Sequence, residues 1–136
     1  ELFSYQDIVE NAMDVIIVTE AENIQHPTGP KIVYVNRAFE ELTGYTKEHA
    51  LGETPRILQG ALTVQESKSR IHSALQNNQG INETLLNYDV KGRPYWIEMN
   101  IIPLINMERL HTLPPLNVTY LNVNFTWNSS KNAIMI

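Results

Sequence analysis

The chain has 136 residues, 43% of them hydrophobic, enough for one domain around a single core. A net charge of -5, a pI near 5.3 and no cluster of basic residues exclude an electrostatic reader of nucleic acid or of an anionic membrane surface, and no apolar run reaches a membrane span. Cysteine is absent, which removes disulfides, thiolate metal sites and covalent cysteine chemistry and fits a reducing compartment.

In chain order, residues 2–12 carry apolar Phe3, Ile8, Val9 and Ala12, with Ser4 and Asp7 spaced as a capping box, and predict a short amphipathic lead-in helix. The β-branched run DVIIVTE at 14–20 predicts a buried strand. Residues 21–30, with Asn23, His26, Pro27, Gly29 and Pro30, read as a loop. KIVYVN at 31–36 sets Ile32, Tyr34 and Asn36 against Val33 and Val35, a hairpin partner of the first strand. Asn36 then caps a helix with Ala38, Phe39 and Leu42 on its inner face and Gly44 at its end, and Thr46 caps another that stops at Gly52.

GETPRILQG, 52–60, predicts a single helical turn. Thr54 can cap its exposed N–H groups, and Pro55 suits the first position because it has no donor to strand there. Ile57 and Leu58 face inward, while Arg56 and Gln59 present a cation and an amide on a neighbouring face. Such a turn suits the wall of a small-molecule pocket. The structural alternatives are Arg56 paired with Glu53, and Gln59 spent on capping the turn.

Thr63 and Glu66 form a T-x-x-E capping box that opens the longest helix, 64–78, with Val64, Ile71, Ala74 and Leu75 on one stripe. Strands follow at 81–89 and 93–104, joined by a hairpin around Val90-Lys91-Gly92. Residues 105–115 are a Pro-containing loop, the alternation of LNVTYLNVNFTW at 116–127 predicts a fifth strand, and the residues from 128 read as a tail. Strands flanking a helical insert give an α+β domain: a five-stranded antiparallel sheet covered on one face by short helices, with any ligand between sheet and helices. The expected division is a lead-in helix at 1–12, one domain at 13–127 and a tail at 128–136.

Three stretches, IVYVNRAFEELTGYT (32–46), LGETPRILQG (51–60) and LLNYDVKGRPYWIEMNIIPL (85–104), resemble a PAS domain, and more closely its LOV-like branch. The resemblance runs from Ile8 to Leu104. It implies a flavin, FMN or FAD, in a family whose reactive cysteine bonds to the flavin under blue light. Here that position is Pro55, so the covalent photocycle is impossible and binding is non-covalent. The family's motif is read here at Thr54, Pro55, Arg56, Ile57, Leu58 and Gln59. Arg56 is implied to meet the phosphate and Gln59 the ring. A second phosphate-binding arginine falls on His72, or on Arg70 if the helix register shifts. Of two asparagines at the flavin's pyrimidine edge, one matches Asn87, which could instead cross-pair on a sheet edge, and the other becomes Ile97. The final-strand glutamine has no counterpart that the sequence identifies.

Some PAS domains bind haem through a histidine on the long helix, which makes haem through His72 the second cofactor hypothesis; a core-edge histidine is the commoner outcome. His26, His49 and His111 have no ligand spacing, and no Ser-His-Asp set or phosphate-cradling glycine loop is present. Four Asn-x-Ser/Thr triplets are ascribed to chance, since no export signal is visible, and the expected location is the cytoplasm. Trp96 and Tyr95 alternate on a strand, so one faces outward; with Ile97 or Tyr95 beside it, that sheet face would be a dimer or effector contact.

These readings imply a non-catalytic sensory module of a larger signalling protein, such as a diguanylate cyclase or a sensor histidine kinase of two-component or cyclic-di-GMP signalling. Its partners would be a small ligand, an effector domain, and a second copy docked through the sheet face or the N-terminal helix. The rival reading is a ligand-free PAS dimerisation module.

Overall fold

The computed structural model describes residues 3–20, 30–105, 118–128 and 133–135. The predicted loop at 21–29, most of the loop at 105–115, and His26 and His111 lie outside the described residues. Four helices, a 3-10 turn and six strands follow in the order α1 (Tyr5–Asn11), β1 (Val15–Glu20), β2 (Ile32–Val35), α2 (Arg37–Thr43), α3 (Lys47–Ala50), the turn Pro55–Leu58, α4 (Gln65–Gln76), β3 (Ile81–Tyr88), β4 (Pro94–Ile105), β5 (Val118–Asn128) and β6 (Ala133–Met135). The strands form one antiparallel sheet in the order β2-β1-β5-β4-β3, with β6 paired to β5. The α+β class stands, and among the described residues a short sixth strand, β6, pairs with β5 beside the five-strand path.

The extra strand lies within the residues read as a tail. β1 ends its pairing with β5 at Val15 opposite Asn124, and Ala133–Met135 takes up β5 beyond that point, from Thr126 to Asn128. Backbone groups that β1 leaves unpaired are thereby satisfied.

Local signals act as read at the start of α1 and at both ends of α2. Ser4 and Asp7 make the reciprocal capping box at the start of α1. The α1 apolar side chains, however, find no core: Phe3 and Ile8 are exposed and no α1 residue is buried. Gly44 closes α2 at φ 77°, a left-handed position that favours glycine.

Asn36 does more than cap α2. Its Oδ1 accepts from Phe39 N at 3.2 Å and from Ile16 N at 3.0 Å, and its Nδ2 donates to the Val9 and Asp14 carbonyls at 3.0 and 2.8 Å. One fully buried amide therefore ties α1, β1 and α2 together. The simple alternation expected in β2 fails because the register shifts between Val18 and Thr19, opposite Tyr34 and Ile32; Ile32 and Val35 are both buried as a result. Val15, Ile17, Ile32, Val35, Phe39, Ala50 and Leu58 make the core, with Ala38, Leu42, Tyr45 and Ile57 packed on it.

Candidate functional site

The core fills the β2 side of the space under the helices and leaves the β3–β4 side open. α4 meets the sheet at β3 and buries only two side chains, the small Ser67 and Ala74. Between helix and sheet lies a cavity of about 500 Å³, within the range of small-molecule sites. Its floor is the inward row of the sheet, with Ile17 and Thr19 from β1, Leu85 and Asn87 from β3, and Met99 and Ile101 from β4. α4 and the 3-10 turn supply the opposite wall.

The turn is built as its sequence predicts. Thr54 Oγ1 accepts from Arg56 N at 3.0 Å, Pro55 occupies the first position, and Leu58 is buried beneath. Pro55, Arg56, Leu58 and Gln59 reach the cavity wall. Thr54, a candidate cofactor contact by sequence, is buried off that wall with its hydroxyl engaged in the cap.

α4 answers the register question. His72 lines the cavity, as do Lys68 one turn earlier and Ser69 between them. Arg70 does not: its Nε and Nη2 donate to both Glu83 carboxylate oxygens, at 3.0 and 2.7 Å, on the outer flank of α4. That hydrogen bonding holds the Glu83 carboxyl below the usual carboxylate range. Lys68 was missed in the sequence because it falls outside the quoted motifs; its i,i+4 spacing from His72 was the available signal.

The predicted capping box at α4 is absent. Val64, not Thr63, is the N-cap, and no side chain caps the helix. Thr63 Oγ1 instead donates to the Leu86 carbonyl at 2.7 Å and accepts from Gly60 N at 3.0 Å, fixing the segment between turn and helix against β3. Gly60 is required there, since a Cβ would lie 2.3 Å from the Tyr88 ring.

On β3 and β4, Asn87 is 3% exposed and on the cavity wall, and its Oδ1 has no hydrogen-bond partner among the described residues. Ile97, 1% exposed, packs in the core opposite Leu85 rather than on the wall. Ile97 and Tyr95 both face inward, so neither stands beside Trp96 on the outward face; further along the same outward row of β4 lie Ile102 and Leu104, and the three are 39%, 46% and 41% exposed. The hairpin between the two strands is held by Asp89, whose carboxylate accepts from Lys91 N and Arg93 N at 2.9 Å and from Arg93 Nε at 2.7 Å.

The charge of the cavity runs against that of the chain. Among the described residues its wall carries Arg56, Lys68 and His72 and no carboxylate, although acids exceed bases overall. An apolar slot with amides at Asn87 and Gln59 and cations along the helical wall fits a planar ligand with a polar edge and an anionic tail. The buried acceptor of Asn87 can take a hydrogen bond from a ligand N–H. No cluster of side chains suited to a metal ion occurs among the described residues, and none of their helices is long and apolar enough to cross a membrane.

A five-strand antiparallel path with a helical cover and a ligand-sized hollow beneath defines a small-molecule sensor fold. The chain belongs to the PAS domain family, whose match spans residues 14–110, and to its LOV-like branch. A blue-light-activated histidine kinase of Brucella anthropi is 38% identical over 82 residues, 60% of this chain and 16% of the relative. A blue-light photoreceptor of Listeria innocua is 33% identical over 102 residues, 72% of this chain and 39% of the relative. The chain thus spans well under half the length of these curated relatives. Among solved structures, the light-state structure of the blue-light photoreceptor Aureochrome1 LOV superposes with a TM-score of 0.73 at 26% identity, covering 95% of this chain and 93% of that one. The LOV domain of a blue-light-activated histidine kinase from Erythrobacter litoralis superposes with a TM-score of 0.70 at 24% identity, covering 83% and 94%, which speaks for the fold.

Proposed function

We propose that this domain is a non-catalytic sensor that holds a flavin nucleotide, FMN or FAD, without a covalent bond, and relays its state through the sheet to an effector in a longer protein. The observation that carries this reading is the Oδ1 of Asn87, unpartnered among the described residues and buried in the wall of a cavity of about 500 Å³ whose described ionisable side chains are all basic residues. A flavin nucleotide supplies redox and light-absorbing chemistry when bound. Asn87 and Gln59 orient the polar edge of the ring, Leu85, Met99 and Ile101 exclude water from it, and Arg56, Lys68 and His72 hold the phosphate. Pro55 offers no thiol, so the signal runs through hydrogen bonding rather than a covalent adduct.

The relay follows the ladder. Asn87 and Leu86 on β3 are register partners of Tyr95 and Trp96 on β4, so a change at the Asn87 amide reaches the exposed face bearing Trp96, Ile102 and Leu104. That face, or α1 with its exposed Phe3 and Ile8, is the proposed contact with a second copy or an effector. A histidine kinase or diguanylate cyclase output fits this role, and nothing in it requires chemistry by the domain itself.

Flavin absorption from the purified protein, or its appearance on incubation with FMN, tests the reading; a protein that stays colourless with FMN, FAD and riboflavin overturns it. Haem is the second reading because His72 lines the cavity, and a Soret band lost in His72→Ala would establish it. A ligand-holding module is favoured over a ligand-free dimerisation module because a hollow of this size is typical of small-molecule sites.

A further inference from the structure

Asn87 on β3 and Tyr95 on β4 are register partners, so both side chains stand on the inward face of the sheet as neighbours. Both are buried at their polar ends, and neither Asn87 Oδ1 nor the Tyr95 hydroxyl has a hydrogen-bond partner among the described residues. Their places differ. Asn87 is part of the cavity wall, whereas Tyr95 stands behind it, off the wall, with Asp89 and Tyr45 nearby. Burial pushes the Tyr95 pKa above that of an ordinary tyrosine, a shift that Asn87 opposes and Asp89 and Tyr45 reinforce. The hydroxyl is therefore neutral and able to donate.

A phenylalanine would fill the same space without stranding an O–H in the interior. The retained hydroxyl makes physical sense if the neighbouring Asn87 amide turns to meet it, with or without a ligand in the cavity. An Asn amide offers one carbonyl and one NH₂, more capacity than a single ligand edge consumes. We infer that Tyr95 is a positioning residue whose hydroxyl pairs with the Asn87 amide and fixes its orientation toward the polar edge of a ligand in the cavity. The inference rests on the flavin reading above, and it adds a residue that does not touch the ligand. It also gives the pocket a defined connection to β4: an Asn87 amide that turns toward or away from the ligand changes what Tyr95 meets.

The test compares Tyr95→Phe with the wild-type chain. The ring and its packing are kept, so the variant should fold with an unchanged or slightly raised melting temperature. FMN and riboflavin affinities should fall together, by about fivefold, because the phosphate end is untouched, and the visible flavin band should shift. In an Asn87→Ala background the same substitution should have no further effect. The side-chain amide resonances of Asn87 in the ligand-free protein should move as well, a readout that a space-filling role leaves alone. Unchanged affinity, spectrum and Asn87 resonances would show Tyr95 to be core filling and overturn the inference. If the wild-type chain takes up no flavin, the cofactor reading falls, while the Asn87 resonances of the ligand-free protein still decide the pairing.

Discussion

Asn36 holds Asp14 in place across the start of the sheet: its Nδ2 donates to the Asp14 carbonyl at 2.8 Å while its Oδ1 accepts from Ile16 N at 3.0 Å. The same amide reaches Val9 and Phe39. Asn36→Ala leaves several buried backbone groups without partners, and the expected loss is about 3 kcal/mol of stability. Urea unfolding measures it. Asn36→Asp keeps the acceptor bonds and loses both donor bonds, so it should also destabilise the domain; a near-neutral result for either variant would remove Asn36 from its joining role.

Gly60→Ala sets a methyl group against the Tyr88 ring, which is itself anchored by accepting a hydrogen bond from Leu62 N at 3.0 Å. Overpacking of this kind costs about 2 kcal/mol. The cost should largely vanish when Gly60→Ala is made in a Tyr88→Ala background. Equal losses in both backgrounds would place the strain elsewhere.

Arg56→Ala should weaken FMN by about tenfold to a hundredfold, the range for a lost charge-assisted contact, and leave riboflavin within a factor of about two. Lys68→Ala should act in the same direction with a smaller effect. Arg70→Ala should leave both affinities alone, because Arg70 pairs with Glu83 off the cavity. Isothermal titration distinguishes these outcomes, and equal losses of FMN and riboflavin in Arg56→Ala would count against a phosphate role.

Acid should loosen the β3–β4 hairpin. Burial acts to raise the Asp89 pKa, but hydrogen bonds from the Arg93 backbone and side chain and from the Lys91 backbone outweigh it, and the net shift is downward from 3.8. A carboxylate lowered on folding contributes stability above its unfolded value, and that stability is lost as pH falls through the folded value. Wild-type stability should therefore decline below about pH 4, and Asp89→Asn should be less stable at neutral pH with a shallower acid limb. Identical pH profiles for the two proteins would contradict this.

Elements governed by short-range chemistry were legible in the sequence. Ser4 with Asp7, Asn36, Thr46 and the Thr54-Pro55 pair all cap helical turns where local spacing put them. What the sequence left open depends on contacts made at a distance. The T-x-x-E motif at Thr63 offered a cap, but the Thr63 hydroxyl is drawn to β3 by tertiary packing. Periodicity put Arg70 and His72 on one helix without fixing its rotation, and the small Ser67 and Ala74 settle which of the two meets the cavity. The Asn87–Tyr95 pairing and the strand at Ala133–Met135 both depend on ladder register, which no single stretch encodes.

β3 is a terminal strand of the sheet, and the Gly60–Thr63 segment clasps it through the Leu86 carbonyl and the Tyr88 hydroxyl. A strand from another molecule cannot use that carbonyl to extend the sheet while the clasp holds. Lengthening the sheet past β3 at Leu86 therefore requires the clasp to open first, and loosening it would expose a template for aggregation.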